Sequence, residues 1–241
     1  MGHCLRFVPV CLCAILWTGL SAAGADGFSA VASVSSSYPY RGYSKSDNGL
    51  SARANLDYSH RSGWFAGAWA AWVDFGDQGY PDRSNVEFYP YLGYGFKLAE
   101  RWRLEFAAAR YVFDGRIFGQ ASDYNEYRAE LRFSDLITAK LEFADDGYQR
   151  GGVILNSELS ARYPLTANLA ASAGIAYNHV NVDLTESSLY WNLGLTWYYQ
   201  YVALDVRYVD AVELPTPAGH SGGPSLPDLK QNFVATLSVG F

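Results

Sequence analysis

Between Leu50 and Tyr58 every second residue is apolar (Leu50, Ala52, Ala54, Leu56, Tyr58), and Ser51, Arg53, Asn55 and Asp57 stand between them. A period of two belongs to a strand with one apolar and one polar face. The same beat returns to the last residue and predicts twelve strands, at 28–37, 50–59, 64–75, 85–96, 102–113, 124–133, 137–144, 153–163, 169–178, 189–198, 201–209 and 231–241. It is clearest at 124–133, where Tyr127, Ala129, Leu131 and Phe133 oppose Glu126, Arg128, Glu130 and Arg132. Two places depart from it. The segment 64–75 is apolar on both faces, which leaves its register open, and Arg110 falls on an apolar face. A bulge, or a side chain reaching towards a rim, would accommodate Arg110.

The connections follow a rhythm of their own. Those at 60–63, 97–101, 134–136, 164–168 and 198–200 are short. Those at 38–49, 76–84, 114–123, 145–152, 178–188 and 210–229 are longer and rich in Gly, Asp, Pro and Ser. Short and long alternate, as do the turns and outer loops of bacterial outer-membrane barrels, whose strand number is even. The longest, Leu214 to Leu229, carries four prolines and Gly-Gly and is expected to be mobile. The expected fold is therefore all-β: a closed up-and-down antiparallel transmembrane barrel filling residues 26–241 as one domain.

Alternation does not say which face meets lipid, because a soluble barrel shows the same beat with its apolar face inward. Here the apolar faces are bulky, as in Leu189, Trp191, Leu193, Leu195 and Trp197. Twelve such strands would enclose more volume than those side chains fill. Aromatics also gather near strand ends (Tyr58, Trp64, Phe96, Trp102, Tyr163, Trp197), where interfacial girdles lie. Finally, Phe233, Ala235, Leu237, Val239 and the terminal Phe241 share a face. A last strand closing on Phe resembles the signal by which outer-membrane proteins engage the barrel-assembly machinery.

Composition narrows the setting. Arg6, the apolar run Phe7 to Leu20 and Ala23-Gly24-Ala25 together predict a cleaved secretory signal over residues 1–25. All three cysteines (Cys4, Cys11, Cys13) lie in that segment, so the exported chain would hold no disulfide and no Cys-ligated metal. No later stretch is long and apolar enough for a spanning helix, so only a closed barrel could cross a membrane. The net charge of −6 argues against a nucleic-acid partner. The expected partners are outer-membrane lipid, the assembly machinery and small solutes, with no cofactor.

With the apolar face outward, the lumen receives Arg53, Arg103, Arg128, Arg132, Lys140, Arg162 and Arg207. It also receives Asp57, Glu87, Glu105, Glu126, Glu130, Glu142, Glu158 and Asp205. The two sets nearly balance, which leaves two readings open. One is an ion-paired interior that holds the shape and plugs the barrel. The other is a water-filled eyelet whose charged walls select solutes. The outer loops carry Asp77, Asp82, Asp114, Asp123, Asp145, Asp146, Asp183, Glu186, Asp210 and Glu213, and a mild cation preference follows.

No hydrolase constellation stands out. The three histidines His60, His179 and His220 lack metal-ligand spacing. His179, beside Asn178 with Ser187 and Ser188 nearby, is the best candidate for a nucleophile pair. A barrel acting through its outer loops as an adhesive or structural element is the alternative to a pore.

The stretch Tyr38-Pro39-Tyr40-Arg41-Gly42-Tyr43-Ser44-Lys45-Ser46-Asp47-Asn48-Gly49 is the most distinctive. With Asp57-Tyr58, Ser62-Gly63-Trp64-Phe65-Ala66-Gly67 and Val73-Asp74-Phe75, it resembles the TorF family of proteobacterial porins, long classed as of unknown function. The resemblance implies an outer-membrane location and a pore, and supplies no substrate. Within the motif, Tyr40, Arg41, Gly42 and Ser44 sit at the top of the first strand. Arg41 either folds inward as a constriction or anion contact, or pins the first outer loop through carboxylates such as Asp74.

Overall fold

Alternation becomes a sheet here because each strand offers lipid an apolar face while its ladder bonds go to two neighbours, leaving no open edge. The computed structural model describes residues 26–214, 224–230 and 232–241. The predicted signal segment 1–25 therefore lies outside the described residues, as do 215–223 of the longest loop. Twelve strands close the barrel: β1 (Gly27–Ser35), β4 (Ser51–Ser59), β5 (Trp64–Trp72), β6 (Val86–Ala99), β7 (Trp102–Phe113), β8 (Tyr124–Phe133), β9 (Ile137–Ala144), β10 (Ile154–Pro164), β11 (Leu169–Val180), β12 (Ser187–Tyr199), β13 (Val202–Leu214) and β14 (Phe233–Gly240). Two further short strands, β2 (Pro39–Tyr40) and β3 (Tyr43–Ser44), form a separate hairpin inside the first long loop.

Every barrel strand is antiparallel to the next, and β1 closes the ring by pairing with both β4 and β14. The last residue completes the seam. The amide of Phe241 donates to the carbonyl of Ala30, and that of Ala30 donates back to Phe241. The chain thus turns over through tight links at one end (the inner end) and long loops at the other (the outer end). The outer face is a belt of exposed Leu56, Leu92, Phe106, Leu141, Leu159, Ile175, Leu193 and Leu237. Trp64, Trp102, Tyr163, Trp197 and Tyr199 crowd its inner margin. Such a surface is stable only against hydrocarbon.

Two of the ambiguous segments acquire a cause. The strand β5 is apolar on both faces because Phe65, Trp69 and Ala71 turn inward onto a buried aromatic cluster, while Trp64 and Trp72 face outward. At Arg110 there is no bulge, since the β7–β8 register runs unbroken through Arg110 and Asn125. Its guanidinium reaches along the surface to Asn125 at 3.1 Å and Asp123 at 3.6 Å, near the outer rim. The one register shift between β6 and β7 falls at Lys97 and Ala99, by the inner turn. The described part of the longest loop is pinned: Leu226 is buried, and its amide donates to the carbonyl of Leu184.

Candidate functional site

The first outer loop does not stand above the barrel but folds into its mouth. Between β2 and β3 the chain reverses at Arg41 and Gly42, both at positive φ (46° and 94°). Only glycine tolerates its place in that turn. A Cβ on Gly42 would lie 2.4 Å from Ser188 Oγ, whose hydroxyl donates to the carbonyl of Arg41 at 2.9 Å. The hairpin is further stitched to its surroundings. The amide of Ser44 donates to the carbonyl of Pro227, that of Asp74 to Lys45, and that of Lys230 to Asn48 Oδ1.

Its two cations carry the tightest contacts. Arg41 Nη2 lies 2.6 Å from Glu126 Oε2 and 3.0 Å from Glu142 Oε2, and all three side chains are buried. Lys45 Nζ lies 2.6 Å from Glu87 Oε2, with both side chains fully withdrawn from water. The second oxygen of Glu87 accepts from the hydroxyl of Tyr38 at 2.6 Å. The Lys45 ammonium also rests 3.9 Å from the ring centre of Tyr40 and 4.4 Å from that of Tyr111. Desolvated cation–π contacts of this kind are worth about 2 kcal/mol.

Around this pair the outer lumen is a packed aromatic core. Tyr38, Tyr40 and Tyr43 of the hairpin meet Trp69, Tyr89, Tyr111 and Tyr124 of the wall, with Phe75, Ile117, Phe118, Tyr148, Val182, Leu184 and Leu226 from the other loops. Tyr40 and Tyr111 share a hydroxyl bond at 2.9 Å. Sequence reading missed this core. Its signal was the run of aromatics on inward positions of β5 to β8, where a water-facing strand should be polar.

Towards the inner end the lumen is filled by charge. Arg103 meets Glu105 at 2.6 Å; Arg132 bridges Glu105 and Glu130; Arg128 lies 3.9 Å from Glu130. Lys140 joins Glu142 at 3.5 Å to Glu158 at 3.1 Å. Across the barrel, Arg207 contacts Asp205, Asn192 and Ser172, and Thr196 donates to Asp205 at 2.7 Å. Asp57 accepts from the Tyr91 hydroxyl. Arg53 and Arg162 instead lie on rings: Arg53 sits 4.0 Å from the Trp69 centre, and Arg162 donates to the Tyr198 hydroxyl at 3.1 Å.

All fifteen predicted lumen residues thus face inward, but they are mostly paired with one another rather than free in water. Arg41 does fold inward. Its partners are Glu126 and Glu142, not Asp74, so it meets carboxylates rather than presenting a bare anion contact. Ser44, the last motif residue, is fully buried and accepts from the amide of Asn48 at 2.8 Å. Several loop carboxylates hold backbone amides. Asp114 accepts from the amides of Asn85 and Val86 and from Ser84. Burial opposes its ionisation, but these donors outweigh it and hold the carboxyl below its usual range. Asp77 likewise accepts from the amide of Phe118, and Asp123 from that of Phe113.

The imagined nucleophile group does not assemble. Asn178 is buried inward and His179 is exposed on the opposite face of β11, while the hydroxyls of Ser187 and Ser188 bond Val180 and Arg41. At the inner rim His60 Nδ1 lies 2.6 Å from Ser62 Oγ, an exposed contact within one turn.

A closed twelve-stranded antiparallel ring with an apolar exterior and a charged interior defines a transmembrane barrel of the outer-membrane type. The chain belongs to the family described as "Bacterial protein of unknown function (Gcw_chp)", whose model matches residues 20–241. No curated protein matches it. Among solved structures it is similar to the KdgM porin (TM-score 0.54, 10% identity, 88% of this chain and 98% of that one). It is similar also to the NanC porin (TM-score 0.51, 8% identity, 89% and 98%). Identities this low speak for the fold alone.

Proposed function

We propose that this protein is an outer-membrane channel of the porin type for small hydrophilic solutes, held closed in this conformation by the hairpin β2–β3. The carrying observation is the mode of closure. The hairpin enters the mouth through two buried ion pairs, Arg41 with Glu126 and Glu142, and Lys45 with Glu87. Behind it stands an interior lined with charged side chains on many strands, which a purely structural barrel could fill with apolar residues at lower cost. The barrel class shared with two porins supports the reading, as does the resemblance of Tyr38 to Gly49 to the TorF family. One similar structure is a KdgM porin in complex with disordered oligogalacturonate. The near balance of charges in this lumen gives no reason to extend a polyanionic solute to this chain.

In this reading residues 1–25 direct export and are removed, and the strand ending at Phe241 engages the assembly machinery. The lumen residues line the route, and the chain catalyses nothing. The alternative, a non-conducting barrel acting through its loops, has one observation in its favour: the lumen charges satisfy one another and are largely buried. Planar-bilayer recording on the refolded protein separates the two. A channel closed by a hairpin gives rare, small current steps that grow when the hairpin is loosened. Silence both in the native chain and in a variant lacking Tyr38–Gly49 would overturn the channel and leave the structural barrel.

A further inference from the structure

The carboxylates that hold the hairpin belong to the barrel wall, whereas the cations they hold belong to the loop. Glu87, Glu126 and Glu142 come from β6, β8 and β9, one continuous side of the lumen. The wall completes the shell around them. Tyr89 donates to Glu126 at 3.1 Å, and Asn156 donates to Glu142 at 2.9 Å while accepting from Tyr190 at 3.0 Å. The Tyr111 ring lies under the Lys45 ammonium. In register with Asn156, the buried Asn178 has an Oδ1 that receives no hydrogen bond. Lys140 of the wall stays 3.5 Å from the other oxygen of Glu142, so removal of the hairpin leaves Glu87 and Glu126 without their cations, Glu142 with one oxygen open to a cation, and an acceptor to spare.

We propose that this wall is a binding site for small organic cations carrying a guanidinium and a primary ammonium group, and that Arg41 and Lys45 occupy it as a tethered stand-in. The guanidinium place is the Glu126–Glu142 pair, whose oxygens suit a planar donor fork. The ammonium place is Glu87 beside the Tyr111 ring, where charge and quadrupole act together. Solute and hairpin then compete for one set of carboxylates, so an arriving cation releases the closure that blocks its own passage. A neutral or anionic solute gains nothing there and leaves the hairpin in place. The assignment rests on the channel reading only for the route by which solute arrives.

Agmatine, with a guanidinium and an ammonium on one short chain, is the probe, and glutarate is the anionic control. Titration calorimetry in detergent micelles reads occupancy without any current, so a silent bilayer and an empty site are separate results. The variant Arg41→Ala/Lys45→Ala, its folding checked by the shift in gel mobility on boiling, should bind agmatine about tenfold or more tightly than the native chain, because the competitor is gone. Adding Glu126→Gln and Glu142→Gln should abolish that binding, and glutarate should bind none of the three. Agmatine binding that survives the two glutamine changes, or is no tighter in the double variant, would overturn the assignment. Should the double variant not fold, Ser44→Cys in the otherwise native chain carries the test. Its thiol, fully buried with the hairpin docked, should be labelled faster as agmatine is added and unchanged by glutarate. No acceleration at saturating agmatine would equally sink the proposal.

Discussion

At the outer end of the lumen, Arg41 and Lys45 meet their carboxylates inside a shell of tyrosines. At the inner end, Arg103 and Arg162 keep part of their surface in contact with water. Both ends use the same residue types on the same alternating pattern, yet the consequences of losing a charge differ. An ion pair taken wholly out of water leaves an uncompensated charge when one partner is removed, whereas an exposed pair is screened and exchanges its partner for solvent. The hairpin's pairs should therefore behave as a two-position device, and the partly exposed Arg103 and Arg162 as an adjustable lining among buried pairs such as Arg207 with Asp205.

The largest effect that would break this contrast is at Arg41. Arg41→Ala takes the cation from Glu126, leaves Glu142 to Lys140, and should weaken hairpin docking by about 3–5 kcal/mol. Current steps should become larger and more frequent in planar bilayers. Unchanged conductance with lowered heat resistance would instead make Arg41 a structural pin only.

Gly42 comes next. Gly42→Ala places a Cβ against Ser188 at a backbone angle that side chains avoid, at a cost of about 1–3 kcal/mol. The same opening phenotype should follow at smaller amplitude, and Ser188→Ala should partly relieve it. If Gly42→Ala leaves the currents untouched, the turn does not hold the closure.

The inner half is sharpened by Arg103→Gln, which removes a partly exposed cation from Glu105, a carboxylate that keeps Arg132 as a partner. Gating should be unchanged, while the reversal potential under a salt gradient moves towards cations. An altered opening frequency would show that the two halves are coupled.

Smallest is the acid response of the loop rim at Asp114. Its carboxyl is held below the usual range in the fold, so the folded state favours the ionised form. That stabilisation is complete above the ordinary carboxylate pKa and fades as pH falls through the lower folded value. Asp114→Asn should therefore lower the melting temperature slightly at neutral pH and converge with the native chain in strong acid.

How far these regions were legible follows from the range of their contacts. The strands β7, β8 and β9 were placed to the residue at 102–113, 124–133 and 137–144, because a period of two needs only neighbours along the chain. The inner lumen was legible for the same reason: once Glu126 faces inward, Arg128, Glu130 and Arg132 must follow. The strand at 64–75 was expected but its register was not legible, because the inward Trp69 answers to Tyr89 and Tyr111 on other strands. For Arg41 the sequence left two readings open, with Asp74 as an example partner, and the structure supplies Glu126 and Glu142 instead. Asp74 lies closer along the chain, but the turn at Gly42 aims the guanidinium at β8 and β9.

By itself the sequence determined the twelve strands, the faces they turn to lipid and lumen, and the end at which the long loops gather. Each of these is set by the alternation of local side chains and by short links. Only the tertiary structure decided the register of the seam between β1 and β14, that the lumen charges neutralise one another across strands, and that the first loop turns inward into the mouth. Those outcomes depend on groups far apart in the chain, Arg41 with Glu126 and Glu142 above all. Their charges pair only once the wall that carries them has formed.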